Sequence, residues 1–312
     1  MSVPGSTVRC VDVAIDRAAP EAVGLAGVLV TPTGTSPDVG VIIVGGSEGG
    51  LHERDAVALA GAGFTALALA YFGSPGVPPV LREIPLEYFS RGVDLLVQRG
   101  VDEVAMLGGS RGGEAALLVA SHDHRVTAVV SVVGSCVVTQ GIDYSLGPVD
   151  RIMGTPTVAW TLDGEPLPAL PNQVTDDLAA EVASGGPVGL GRHYAPLPND
   201  PAQLDRISIP IEKSRAAVLL IAAEHDAMWN SAGYHRVAAE RLAAAHHPYV
   251  WDEVVIPGAG HGIAGPPGDP ITSTTTPGPG VMLEMGGDPA ATTAGRAEAW
   301  RMTLDFLREH VA

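Results

Sequence analysis

The residues with the clearest chemical potential surround Ser110, in the stretch Val101–Glu114. An apolar run ends there in the letters GGSRGG, and an alanine-rich segment follows at once. This order predicts a strand, a very tight turn and a helix, with the G-x-S-x-G spacing of a nucleophile elbow. Gly108 and Gly112 flank the serine where side chains would collide, and the free N–H groups of the following helix favour a developing negative charge. Ser110 is therefore a candidate nucleophile; the alternative is an ordinary turn serine.

A serine hydroxyl is a poor nucleophile until a base takes its proton, and that base must itself be oriented. Asp226 and His261 can supply these roles, because each follows an apolar, strand-like run as Ser110 does. The chain order Ser, Asp, His is also the order that accompanies an elbow of this kind. Glu224 and Asp252 are competing acids, of which we prefer Asp226. The alternative for His261 is a histidine in a surface loop.

Attack on a carbonyl also requires hydrogen-bond donors for the oxyanion. The backbone N–H of Arg111, directly after the serine, is one expected donor. We expect the second from the glycine-rich loop Gly45–Gly50, which follows an earlier strand; the N–H groups of Ser47 and Glu48 are equal candidates. Gly46 in the same loop is expected to contact the substrate. A phosphate-binding loop is the alternative, but the segment lacks the Gly-Lys-Ser/Thr ending of that motif.

Other residues near these motifs have open roles. Trp229 could pack beneath the acid loop or wall the substrate site, and we keep it as a substrate-binding candidate. The side chains of Arg111 and Glu114 could form an ion pair or line a pocket. Cys136 is predicted to be a buried spectator, and neither it nor Cys10 belongs to a Cys-x-x-Cys pair. Because the histidines form no metal-binding pattern either, we expect no metal and no organic cofactor.

The elements that position these residues follow from the alternation of apolar runs and helical segments between Val39 and Val133. Val39–Val44 is a continuous apolar run, as in a strand buried on both faces. The alternation predicts an α/β fold with a mostly parallel sheet and helices on both faces. A hairpin of Val8–Ile15 and Val23–Thr31 is expected to precede it.

The segment Gly134–Ser208, called the cap segment below, breaks this alternation. It is rich in proline and contains one predicted helix, Thr175–Ala183. Long irregular insertions in compact chains are usually functional, so we expect this one to cover the site and choose the substrate; the alternative is a surface excursion. Gly265–Gly280 is predicted to be a loop. No interdomain linker is visible, and we expect residues 1–312 to form one domain.

Composition excludes several function classes. A net charge of −17, from 18 Lys+Arg and 35 Asp+Glu, argues against a nucleic-acid-binding face. No apolar stretch approaches ~18–20 residues, and the N-terminus has no basic start followed by an apolar run, so neither a membrane span nor a secretory signal is predicted. We expect a cytoplasmic monomer or homodimer with a small-molecule substrate.

The chain resembles the C-terminal catalytic domain of the acyl-CoA thioesterase / bile-acid-CoA:amino-acid N-acyltransferase family. That family is a branch of the α/β-hydrolases related to dienelactone hydrolases. The resemblance runs from about Val39 to the end of the chain, with the cap segment least similar. It rests on the glycine-rich loop, the IPLEYF motif, the GGSRGG elbow, the AAEHDAMW and PGAGHGIAGPP motifs and the last helix. The similar segments are Val44–Gly73, Ile84–Phe89, Leu107–Ser121, Ile209–Trp229, Pro257–Pro267 and Gly286–Leu307.

This resemblance implies an α/β-hydrolase fold with Ser110, Asp226 and His261 as a catalytic triad. It implies transfer of an acyl group from a thioester to water or to an amino acid, and a serine nucleophile resembles the hydrolytic branch. We therefore expect a thioesterase acting through an acyl-enzyme; the alternative is a biosynthetic tailoring enzyme using the same pocket for acyl transfer, cyclisation or other bond formation. Better-known relatives carry an N-terminal immunoglobulin-like domain. Because only about 38 residues precede the first core strand here, we expect none.

Overall fold

The computed structural model describes residues 12–34, 38–174 and 176–311 of the 312-residue chain. The strands in these ranges are β1 (Val13–Asp16), β2 (Ala26–Pro32), β3 (Val39–Val44), β4 (Thr65–Ala70), β5 (Ile84–Pro85), β6 (Glu103–Gly109), β7 (Val126–Val132), β8 (Trp160–Leu162), β9 (Glu165–Pro166), β10 (Ala217–Ala223), β11 (Trp251–Ile256), β12 (Thr275–Gly278) and β13 (Val281–Glu284). The helices are α1 (Ala18–Ala22), α2 (Glu53–Gly61), α3 (Glu87–Gln98), α4 (Arg111–His122), α5 (Val149–Gly154), α6 (Asp176–Ser184), α7 (Pro201–Ile207), α8 (Ser231–Ala244) and α9 (Pro289–His310).

A central sheet of eight strands organises the molecule, in the order β1-β2-β4-β3-β6-β7-β10-β11. The pairs from β4 to β11 are parallel, whereas β1 and β2 join the sheet antiparallel. Strands β3, β4 and β10 are buried along their whole length, as their continuous apolar sequences predict. The expected α/β class with a mostly parallel sheet is confirmed.

Helices cover both faces of this sheet and bury its apolar side chains in two clusters. Helices α3, α4 and α8 pack on one face, where Phe89, Leu117 and Leu242 are buried. Helices α2 and α9 pack on the other, where Leu59 and Leu307 are buried. None of the helices in the described ranges is long and apolar enough to cross a membrane.

The N-terminal strands pair as expected, but not in a simple hairpin. β1 and β2 are antiparallel, and the short helix α1 lies between them. Residues 8–11 of the predicted first strand lie outside the described residues.

The cap segment contains more regular structure than the single helix predicted over Thr175–Ala183. Besides α6, whose predicted first residue Thr175 lies outside the described residues, it contains α5, α7, β8 and β9. Proline is compatible with these helices because it stands at their starts: Pro148 is the N-cap of α5 and Pro201 begins α7. At these positions the missing N–H and fixed φ of proline do no harm.

The prediction that Gly265–Gly280 is a loop is wrong for the last residues of this segment. Residues from Thr275 onward form β12, which pairs antiparallel with β13 across a turn at Pro279 and Gly280. The Gly280 φ of 74° is one that glycine adopts without strain. Two backbone hydrogen bonds to Val188 attach this hairpin to the cap segment. Pairing with β13, which Val188 holds in place, has therefore overridden the local turn composition.

Candidate active site

Ser110 lies at the end of β6, immediately before α4, in a backbone conformation rare for a non-glycine residue (φ 53°, ψ −121°). The turn is tight enough to require glycine on both sides. A Cβ on Gly108 would lie 2.0 Å from the Gly112 carbonyl oxygen, and one on Gly112 would lie 2.5 Å from the carbonyl oxygens of Val44 and Gly45. The Ser110 N–H donates to the Val132 carbonyl at 2.8 Å. The strained turn is thus held by the sheet.

A continuous hydrogen-bond chain joins the serine, the histidine and the aspartate. His261 Nε2 lies 2.9 Å from Ser110 Oγ, and His261 Nδ1 lies 2.8 Å from Asp226 Oδ2. His261 is 7% exposed, and the Asp226 side chain is 2% exposed. With the Nδ1 proton held by the carboxylate, Nε2 presents a lone pair to the serine hydroxyl. The arrangement can therefore take a proton from Ser110 and balance the resulting charge.

The competing acids lie elsewhere. Asp226 Oδ1 accepts hydrogen bonds from the backbone N–H groups of Met228 and Trp229 at 2.9 and 3.3 Å, which leaves Oδ2 for the imidazole. Glu224 instead accepts from the Gly258 N–H at 2.7 Å, and half of its side chain is exposed. Asp252 is exposed on β11. Among the three acids, Asp226 is the one beside His261.

Three sheet positions bring these residues together. Ser110 follows β6, Asp226 follows β10 and His261 follows β11, and all three strands are parallel members of one sheet. Their carboxyl ends meet at one edge, where sites in open α/β sheets are found. The His261 N–H donates to the Met285 carbonyl at 2.8 Å, which fixes the loop that holds the imidazole.

The backbone N–H groups of Arg111 and Ser47, both near Ser110, have no acceptor among the described residues. The Gly46 N–H is already used, since it donates to Glu48 Oε1 at 3.0 Å. The Glu48 N–H helps to lower the pKa of its own carboxyl, and so lies beside a negative charge. We therefore prefer Ser47 over Glu48 as the second oxyanion donor. Gly46, Ser47 and Glu48 all line the cavity described below.

A cluster of charged side chains, overlooked in the sequence, supports the Gly45–Gly50 loop. His52 Nε2 lies 3.1 Å from Glu48 Oε1, and His52 Nδ1 lies 3.5 Å from Asp55 Oδ2. Hydrogen bonds to Asp55 and then to Glu48 raise the pKa of His52 to about 9. Burial acts to raise the pKa of Glu48, but hydrogen bonds from His52 and from backbone N–H groups lower it overall. The sequence signal for this cluster was the spacing: Glu48 lies four residues before His52, and Asp55 lies three residues after it.

We expect His52→Gln to lower the free energy of unfolding by on the order of 2 kcal/mol below pH 6.5. Because the folded-state pKa of His52 is raised to about 9, its contribution is complete below the unfolded value of 6.5 and is lost as the pH rises through 9. Urea unfolding of both proteins between pH 6 and 10 measures this. The control is the exposed residue His124, whose change to Gln should cost less than about 0.5 kcal/mol at every pH. A pH-independent difference for His52→Gln would contradict the assignment.

A cavity of about 610 Å³ opens beside Ser110 and His261, within the usual size of small-molecule sites. Of the described residues of the cap segment, Tyr144 alone lines it. The β12–β13 hairpin and the residue after it contribute six further lining residues. These wall residues are Thr276, Pro277, Gly278, Pro279, Leu283 and Met285. The cap segment thus contributes one described residue to the lining and is joined to the hairpin through Val188. That it covers the site and chooses the substrate stays a prediction.

Trp229 does not line this cavity, contrary to its selection as a substrate-binding residue. Its ring is 3% exposed and packs edge-to-face against the His261 ring, with centroids 6.1 Å apart. Its Nε1–H donates to the Val133 carbonyl at 2.8 Å, and the Arg111 guanidinium lies 5.5 Å from its ring centroid. An indole placed there supports the imidazole instead of the substrate.

The side chains of Arg111 and Glu114 form a buried ion pair, with Nη1 3.1 Å from Oε2. Burial raises the pKa of Glu114, against the lowering effect of Arg111, Thr139 and Trp160. Cys136 is fully buried, and this burial raises the pKa of its thiol to about 12. No described set of three His, Cys, Asp or Glu side chains is grouped as a metal site requires.

Comparison with known proteins gives a consistent picture. Residues 84–312 match the family model described as BAAT / Acyl-CoA thioester hydrolase C terminal. The chain is 29% identical over 292 residues to acyl-coenzyme A thioesterase 6 of Homo sapiens, covering 91% of this chain and 62% of that protein. It is 30% identical over 289 residues to acyl-coenzyme A amino acid N-acyltransferase 1 of Mus musculus, covering 91% and 63%. The chain thus spans less than two thirds of the length of these curated relatives.

The fold has counterparts among solved structures. A dienelactone-hydrolase-like promiscuous phosphotriesterase from metagenomic libraries superposes with a TM-score of 0.50 at 17% identity, covering 92% of each chain. At that identity the likeness concerns the fold alone, which is that of the α/β-hydrolases. The family match extends over most of the sequence and includes Ser110, Asp226 and His261. The chain belongs to the BAAT / acyl-CoA thioester hydrolase C-terminal family.

Proposed function

We propose that this protein is a serine hydrolase that cleaves acyl thioesters through an acyl-enzyme. The observation that carries the proposal is the hydrogen-bond chain from Ser110 through His261 to Asp226 at the wall of a 610 Å³ cavity. A nucleophile, a base and an orienting acid in hydrogen-bond contact are what acyl transfer requires.

In the acylation step Ser110 Oγ attacks the thioester carbonyl carbon while its proton passes to His261 Nε2. The C–O bond forms, and the carbonyl oxygen becomes an oxyanion that receives hydrogen bonds from the Arg111 and Ser47 N–H groups. Collapse of this intermediate breaks the C–S bond, and His261 returns the proton to the departing sulfur. Asp226 balances the imidazolium charge throughout without itself being protonated.

In the deacylation step water attacks the acyl-serine carbonyl while its proton passes to His261. The C–O bond to Ser110 then breaks, His261 returns the proton to Ser110 Oγ, and a free acid is released. The relatives named above include both a thioesterase and an amino acid N-acyltransferase, so the acceptor is the point on which family members differ. The serine nucleophile favours water as the acyl acceptor of this protein.

The direct test is active-site labelling followed by turnover. We expect a fluorophosphonate probe to label one peptide, containing Ser110, as read by mass spectrometry. We expect the enzyme to hydrolyse acyl-CoA and acyl-N-acetylcysteamine thioesters to free acids. Addition of glycine distinguishes transfer, since an N-acylglycine product would replace the free acid. Neither label nor turnover on thioesters and p-nitrophenyl esters would refute the proposal.

We expect Asp226→Asn to lower kcat by about 10⁴-fold. The amide that replaces the carboxylate can keep its oxygen toward the N–H groups of Met228 and Trp229 and would then turn its NH₂ toward His261 Nδ1. The imidazole must then carry its proton on Nε2, where it no longer accepts one from Ser110. The matched control is Glu224→Gln, two residues away, which we expect to stay within about threefold because the Glu224 carboxylate contacts the Gly258 N–H and the exposed His225 ring but not His261. Equal losses in both variants would disprove the assignment of Asp226.

A further inference from the structure

Tyr144 connects the cap segment to the Gly45–Gly50 loop. It is the described cap-segment residue that lines the cavity, and its hydroxyl donates a hydrogen bond to the Ser47 carbonyl, 97 residues away in the chain. The contact is therefore made with the residue whose N–H is the favoured second oxyanion donor. The proposed function did not use this hydroxyl.

The carbonyl groups of Gly45, Gly46 and Ser47 are all held in place. Tyr71 Oη donates to the Gly45 oxygen at 2.9 Å and lies 3.5 Å from the Gly46 oxygen. The Gly46 oxygen also accepts from the Gly49 N–H at 3.2 Å, and the Ser47 oxygen accepts from Tyr144. In a trans peptide the C=O of one residue and the N–H of the next residue point in opposite directions, so fixing the Gly45, Gly46 and Ser47 carbonyls fixes the directions of the Gly46, Ser47 and Glu48 N–H groups.

The position of Tyr144 is itself fixed by neighbours on both sides in the chain. Ile142 exchanges two backbone hydrogen bonds with Leu81, at 3.1 and 2.9 Å. Asp143 caps the turn that carries Tyr144 by accepting from the Ser145 N–H at 3.0 Å. Burial raises the pKa of Tyr144 to about 12, so its hydroxyl remains a donor across ordinary assay conditions.

We propose that Tyr144 is a positioning residue for the oxyanion hole. Its hydroxyl holds the peptide that follows Ser47, while the Gly49 N–H and Tyr71 hold the carbonyl of the peptide that carries the Ser47 N–H. Ser47 is thereby fixed on both sides before substrate arrives, and the cap segment acts on the rate of the chemical step. This inference rests on the proposed function. Preorganised donors matter most where charge develops in the transition state, so the effect belongs in kcat and not in ground-state binding.

The test is Tyr144→Phe, which removes one hydroxyl and keeps the ring. We expect kcat to fall about 10- to 100-fold with KM within about twofold. A boronic acid inhibitor, whose serine adduct places a tetrahedral oxygen in the same hole, should lose affinity by the same factor. The control is Tyr88→Phe, which should leave kcat unchanged. The Tyr88 hydroxyl bonds the Ala26 N–H and the Ala70 carbonyl, and none of these three residues lines the cavity.

Hydrogen exchange provides a readout that does not depend on turnover. It can be used even if Tyr144→Phe melts at a lower temperature than the wild type. In folded Tyr144→Phe we expect faster amide exchange in the peptide covering residues 45–50, and no change there in Tyr88→Phe. If Tyr144→Phe leaves kcat and amide exchange unchanged, or changes KM alone, the inference is overturned. The proposed function still stands in that case, provided that the wild-type enzyme is labelled and active. An unlabelled and inactive wild type would instead refute the proposed function.

Discussion

Ser110→Ala is expected to lower kcat for thioester hydrolysis by about 10⁴- to 10⁶-fold and to abolish fluorophosphonate labelling. Alanine removes the attacking oxygen but keeps the backbone N–H groups and the cavity, so KM should change little. The hydrogen bond between His261 and Asp226 does not depend on the serine, so the melting temperature should not fall. Turnover, probe labelling and thermal melting of the purified variant measure the three expectations.

The matched control is Ser121→Ala, at the far end of α4. Its hydroxyl donates to the Leu118 carbonyl at 2.7 Å and contacts no residue of the cavity. We expect full labelling and wild-type turnover. If Ser110→Ala were still labelled, or kept more than about a hundredth of the wild-type kcat, the nucleophile would lie elsewhere.

Glu114→Ala is expected to lower the free energy of unfolding by about 3–5 kcal/mol. One fully buried carboxylate accepts four hydrogen bonds, from Arg111 Nη1 (3.1 Å), the Thr139 N–H (3.0 Å), Thr139 Oγ1 (2.6 Å) and Trp160 Nε1 (2.7 Å). Its removal leaves the Arg111 guanidinium, 1% exposed, without a counter-charge in the protein interior. It also releases the cap segment from the helix that begins at Ser110.

The surface offers a control with the same residue types and spacing. Glu298 and Arg301 are also three residues apart, with Oε1 2.6 Å from Nη2, but both side chains are about half exposed. We expect Glu298→Ala to cost less than about 1 kcal/mol, because exposed pairs are screened by water. Urea unfolding of both variants gives the comparison. Similar losses in the two would mean that Glu114 is not the anchor of the cap segment.

The local sequence was enough to predict the sheet and the order of the site residues. Continuous apolar runs such as Val39–Val44 are typical of strands buried on both faces, and glycine is required at 108 and 112 because a Cβ there would collide with backbone carbonyl groups. Once the strands are parallel, the residues after β6, β10 and β11 must meet at one edge. The closeness of Ser110, Asp226 and His261 to one another therefore follows from short-range sequence patterns.

What surrounds the triad depended on contacts between distant segments, which local composition does not encode. Thr275–Gly278 has the residues of a loop, yet it becomes a cavity wall because it pairs with β13, which is itself bonded to the distant Val188. Trp229 is compatible with a wall or a core position, and only the packed structure places its ring against His261.

The choice between Ser47 and Glu48 as the second oxyanion donor shows the same difference between what the sequence and what the fold determines. In the sequence the two N–H groups are adjacent and equivalent, because both belong to a glycine-rich loop after a strand. In the folded chain the Glu48 N–H helps to lower the pKa of its own carboxyl, and the Ser47 carbonyl is held by Tyr144 from the cap segment. The sequence by itself determined which residues meet at the sheet edge. The tertiary structure alone decided which donors stay free and which residues wall the cavity, because both depend on where the folded chain places each side chain and the β12–β13 hairpin.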